Sequence, residues 1–192
     1  MTTITNATIQ ALNPCTDRFQ NYLAHYRGKS HSPAQFLGLK NISHDDKVWV
    51  VVRLLSIKSR LLASADIAEL ALPIYEKQSP NDNRVRHCIE TLRRYANVTA
   101  SQAELDTAAK DANAASANAA ANAASANAAN AAYYAANAYY AANAADYAAY
   151  YAASAADYAR ATYAKAVPIE EKPAITKKIR TILLKYMNAE EK

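Results

Sequence analysis

The apolar positions of this chain recur at helical spacing along most of its length. After Asn13-Pro14, where proline suits a first helical turn, Phe19, Tyr22, Leu23 and Tyr26 share one helical face and Gly28 ends the run. This spacing predicts a first helix. Residues 29–44, with Ser32-Pro33 and Gly38, read as a loop. Ser43 then caps a segment carrying Asp45 and Asp46 in its first turn, ahead of VWVVVRLL. The β-branched run at Val48 competes as a strand. Helix is expected, because Leu54, Leu55, Leu61 and Leu62 prolong an apolar stripe, with Arg53, Lys58 and Arg60 facing outward.

Further along, Ser64-Ala-Asp66 predicts a helix start, and Pro73 should kink or restart the backbone. Pro80-Asn-Asp-Asn83 makes a turn and cap, after which RVRHCIETLRRYA places Val85, Cys88, Ile89 and Leu92 on one side of a helix. Ser101 and Glu104 stand at the spacing of a capping box. Beyond Pro168 and Pro173, the residues Ile175, Ile179, Ile182, Leu183 and Tyr186 form an apolar face opposite Lys177, Lys178, Arg180 and Lys185. This last helix is expected to dock back on the rest.

Between those ends lies a tract of low complexity, epitomised by YYAANAYYAANAADYAAYYAAS at 133–154. Stepping alternately by three and four residues from Ala114 to Ala159 meets only alanine, a coiled-coil-like seam that lets helix axes approach closely. Alanine also has the highest helix propensity. On a straight helix Tyr133, Tyr140, Tyr147, Tyr151 and Tyr158 form a second stripe beside the seam. The stripe is either buried against the N-terminal helices or displayed to a partner. A single helix over 101–166 would be about 100 Å long, so at least one break is expected, with Asn127, Asn130 or Tyr133-Tyr134 as turn positions.

Composition narrows the class. Two glycines in 192 residues leave little material for hairpin turns. The expected fold is all-α: a compact helical bundle with a long Ala/Asn/Tyr-rich helix or helical hairpin in its C-terminal half. Its parts are residues 1–100, the tract 101–166 packed on them, and the linker and helix 167–192, together one domain. The net charge of +5 sits on the flanks, since the tract is nearly uncharged. It favours an acidic partner but falls short of a nucleic-acid footprint. Cys15 and Cys88 share no metal-ligand spacing and read as free thiols of a reducing compartment. No stretch is apolar enough to span a bilayer, so a cytoplasmic protein is expected.

Clustered glycines for a phosphate loop, HExxH, GxSxG and calcium-loop spacings are all missing from the sequence. His25, His31, His44 and His87 are scattered, and His44-Asp45-Asp46 is explained by helix capping. No enzyme activity, metal or cofactor is expected. The arginines Arg84, Arg86, Arg93 and Arg94, near Tyr95, have two readings: a phosphate- or RNA-binding surface, or a solvated helix face held by internal ion pairs.

At PIYEKQSPNDNRVRHCIETLRRYANVTASQAEL the chain resembles the putative immunity proteins of bacteria and phages. Shared features are a Glu before a Pro-Asp-rich turn, the Arg84-x-Arg86 pair opening an Ile-Glu helix, and alanine-dominated sequence after it. Val85 stands where that family has proline, and its glycine after the Arg-rich helix is missing. The resemblance implies a small helical protein that acts by binding, and it brings no catalytic residues. The leading expectation is therefore a non-enzymatic, phage-type inhibitor that neutralises a toxin, nuclease or host-defence factor by covering its surface. Its contact residues would be the five striped tyrosines and the four arginines. Two other readings stand beside it: a ligand- or nucleic-acid binder using the Arg/Tyr surface, and a self-assembling helical protein using the alanine seam.

Overall fold

Among the described residues, serine and threonine hydroxyls start five of the helices. A computed structural model describes residues 2–119, 123–137, 154, 158–162, 164–166 and 172–190. Thr5 caps α1 (Asn6–Ala11), Ser32 caps α3 (Pro33–Leu37), Ser43 caps α4 (His44–Leu54), Ser56 caps α5 (Ile57–Glu69) and Ser101 caps α8 (Gln102–Asn118). The capping box of Ser101 and Glu104 forms as its spacing predicts. Between these lie α2 (Thr16–Tyr26), α6 (Leu72–Gln78), α7 (Arg84–Ala96) and α9 (Ala123–Asn137), and α10 (Lys172–Glu190) follows. Residues 158–162 are also helical. The fold is all-α, with Val48, Val50, Val51 and Val52 buried on α4 rather than in a strand.

Several boundaries differ from the sequence reading, each for a local reason. The predicted first helix is the second, because Thr5 starts α1 before it. The expected loop 29–44 contains α3, whose Ser32 and Gln35 form a reciprocal capping box. Ser64 does not start a helix. It lies inside α5, where its hydroxyl donates to the Arg60 carbonyl at 2.9 Å, a back-bond open to interior serines. Pro73 restarts the chain as α6 after α5 ends at Glu69. Arg60, read as outward, is only 6% exposed, and its Nε and Nη2 donate to the carbonyls of Val52 and Leu55 at the end of α4. The Val52 carbonyl also accepts the Leu55 N–H at 3.2 Å, and the buried cation completes the cap at this end of α4.

The Ala-rich tract opens with a hairpin. α8 and α9 pack side by side, and the Ser116 hydroxyl donates to the Ala126 carbonyl at 3.2 Å. The break therefore precedes Asn127, Asn130 and Tyr133-Tyr134, which all lie inside α9. The alanine seam is not continuous either. On α8 the buried positions are Leu105, Ala108, Ala109, Ala112 and Ala115, whereas the seam residues Ala114 and Ala117 are exposed. On α9 the buried face is wide, with Ala128, Ala129, Ala131, Ala132, Ala135 and Ala136 at 0–1% exposure. α9 packs against α5, α6, α7 and α8. Small side chains permit that approach. It is close enough for the Cys88 thiol of α7 to lie 3.5 Å from the Ala132 carbonyl. Burial pushes this thiol up to about 12, so it stays protonated and unreactive. On the other side α10 docks on α3, α4 and α5 through Ile175, Ile179, Leu183 and Met187.

The α7–α8 turn stores strain. Val98 has φ +60 and is 91% exposed, and the bonds Val98 N–H to Tyr95 O and Thr99 N–H to Arg94 O place it at the left-handed helix-stop position that favours glycine. Nothing buried offsets this strain in a β-branched residue. Val98→Gly is expected to stabilise the fold by about 0.5–1 kcal/mol, raising Tm by roughly 2–4 °C. An unchanged or lower Tm in thermal denaturation would show that the backbone is not strained there.

Candidate protein-binding site

The four arginines of the sequence reading lie on α7, and each is engaged with a carboxylate. Arg84 pairs with Asp82 at 2.6 Å, Arg86 with Glu76 at 2.6 Å and Arg94 with Glu104 at 2.9 Å. Arg93 reaches both Asp66 at 2.7 Å and Glu69 at 2.6 Å on α5. Asp82 also accepts the Arg84 backbone N–H and the Tyr75 hydroxyl, so its carboxylate supplies the acceptor at the start of α7 that the N-cap Asn83 side chain does not. The Arg84 hydrogen bonds hold the Asp82 carboxyl far below the usual carboxylate range. Burial, then the bond to Asp82, pushes Tyr75 up to about 12. Glu104 falls to about 2, mainly through bonds from Ser101 and then from Arg94. Glu76 and the Arg84-x-Arg86 pair, which carry the family resemblance, thus bind α6, the turn and α7 to one another.

Asp66 is the hub of a second cluster. Its carboxylate accepts from Arg93 on α7, and from Lys185 at 3.0 Å and the Tyr186 hydroxyl at 2.8 Å on α10. Burial alone would raise its pKa, but these bonds outweigh burial and hold it below the usual value.

Of the five striped tyrosines, Tyr133 and Tyr158 are half-buried and packed against the core. Tyr140, Tyr147 and Tyr151 lie outside the described residues. Tyr134, which fell off the stripe, meets the Tyr133 ring edge-on at 5.3 Å and stacks on Tyr158 at 4.9 Å. A straight helix carrying both Tyr134 and Tyr158 would separate them by about 36 Å. They do not share one straight helix, so Tyr133 and Tyr158 are not neighbours along a single ridge.

A cleft that the sequence reading missed lies between α2 and α4. Its volume is about 420 Å³, and Phe19, Tyr22, Phe36, Ile42, Trp49 and Val50 line it. Arg18, Asp45 and Asp46 also line it; Arg18 pairs with Asp46 at 2.6 Å, and Asp45 pairs with Arg160 at 2.5 Å. Tyr22 is 3% exposed with its hydroxyl unpartnered, and burial raises its pKa, so the ring presents a neutral phenol. Segments distant in sequence assemble this cleft, and no local pattern marks it. Among the described residues, no group of three His, Cys, Asp or Glu side chains is placed to hold a metal ion, and no helix is long and apolar enough to cross a membrane.

In comparisons with known proteins, the family model for Imm-5 like putative immunity protein matches residues 60–178, more than half of the chain. The matched region contains most of α5, all of α6 to α9 and the start of α10. No curated protein and no solved structure matches the chain.

Proposed function

Since the chain belongs to the Imm-5 like putative immunity protein family, we propose that it is a binding inhibitor that neutralises a toxic protein by covering its surface, without turnover. Family membership carries this reading. The engagement of the α7 arginines with Asp66, Glu69, Glu76, Asp82 and Glu104 supports it indirectly, because a phosphate- or RNA-binding surface at α7 would first have to break those pairs. The target belongs to the same broad class as the sequence reading named: a toxin, a nuclease or a host-defence factor.

Affinity purification of the tagged full-length chain from its native host, with quantitative mass spectrometry, tests the reading. A second protein at about one copy per chain is expected. Recovery of the chain with no stoichiometric protein would end the proposal.

A further inference from the structure

Charge is segregated in this molecule. No aspartate or glutamate occurs between Arg18 and His44, and none between Lys172 and Ala189. The fold brings these two stretches together, because α10 packs on α3 and α4. Arg180 of α10 donates to the Ala34 carbonyl at 2.6 Å, and its guanidinium lies beside Gly38. Lys47 of α4 donates to the Leu39 carbonyl at 2.8 Å, and its pKa is lowered by burial and then by the charge of Arg180. Exposed Lys40 adjoins Leu39, and exposed Lys177 lies one turn before Arg180. Arg27 and Lys29, both exposed, stand in the loop that leads into α3.

Among the described residues none of these six cations makes a salt bridge, whereas every arginine of α7 does. The carboxylates of α4 and α5 are already engaged: Asp46 with Arg18, Asp45 with Arg160, Asp66 with Arg93 and Lys185, and Glu69 with Arg93. Like charges crowded with no carboxylate between them raise the local potential and repel one another, a cost that an acidic partner removes.

We infer that the face built by α3, the start of α4 and α10 is the docking surface for an acidic protein partner, with Lys40, Lys177, Arg27 and Lys29 as its exposed contacts. This rests on the reading of the chain as a protein-binding inhibitor and adds the location and the charge of what binds. The polypeptide class follows from that reading and from the surface itself, a group of mostly lysines with Arg180 already turned to a carbonyl.

The test uses poly-L-glutamate as an acidic polypeptide probe and a single-stranded RNA of equal charge, both at low salt, with the full-length chain. The double variant Lys40→Glu, Lys177→Glu is compared with Lys77→Glu, Lys110→Glu. Lys77 and Lys110 are also exposed, on α6 and α8, and the charge change is the same in both doubles. The first double should weaken poly-L-glutamate binding at least tenfold, and the second less than threefold, with both folded by circular dichroism. Equal losses in the two doubles would overturn the inference, as would tighter binding of RNA than of poly-L-glutamate. All four sites are exposed; should either double not fold, the corresponding Lys→Gln doubles carry the same comparison. The purification experiment can succeed while this one fails, so the two readings fall separately.

Discussion

Replacing Ala132 by leucine should destabilise the protein by about 3 kcal/mol, at the upper end of what overpacking a core does. Ala132 is 1% exposed on the face of α9 that packs against α5, α6, α7 and α8. Its carbonyl lies 3.5 Å from the Cys88 sulfur, so α9 and α7 are already close and a branched side chain has no void to enter. The control is Ala117→Leu. Ala117 belongs to the same sequence seam but is exposed on α8, so leucine there should change stability by less than about 0.5 kcal/mol. Chemical denaturation of the two variants separates the alternatives. Similar losses would mean that the seam is used as a whole, against the register observed.

Asp66→Ala should lower stability by about 2–3 kcal/mol, because it strips an acceptor from three donors on two neighbouring helices. Arg93 keeps Glu69, but Lys185 and the hydroxyl of buried Tyr186 lose their carboxylate. The variant should also change the pH dependence. Asp66 and Glu69 both titrate below their ordinary values of 3.8 and 4.5 in the folded chain. Their contribution is therefore complete at neutral pH and is lost as pH falls below about 4 through the folded values. Wild type should lose stability steeply in that window, and Asp66→Ala should show a shallower decline. Identical slopes in pH-resolved denaturation would remove Asp66 from the account.

Helical architecture was legible in the sequence because serine caps, proline positions and apolar spacing agree with one another. Ser43, Ser101 and Pro73 each act where they stand. Ser64 misled because a serine inside a helix can bond its own preceding turn. The α8–α9 break was hidden for a different reason. No glycine or proline marks it, and an alanine tract has so many equivalent registers that periodicity alone cannot tell a continued helix from a reversed one.

The candidate site was less legible. The Arg84, Arg86, Arg93 and Arg94 row drew notice because its members are close in sequence, yet their partners Asp66, Glu69 and Glu76 lie on other helices. The basic face left a fainter signal, the two acid-free stretches, and only the packing of α10 on α3 and α4 joins them. A charge pattern thus shows where carboxylates are missing. Tertiary contacts decide which cations are left without a carboxylate.

Neutralisation by binding, rather than by chemistry, is the central claim, and the stoichiometry of protection tests it most directly. The partner recovered from the host would be titrated with the purified chain while its toxic activity is followed. The account predicts that activity falls in proportion to added chain and vanishes at about one equivalent. Complete loss of activity at a small fraction of an equivalent would mean that the chain turns over a substrate, and full activity in the presence of excess chain would mean that it does not neutralise this partner.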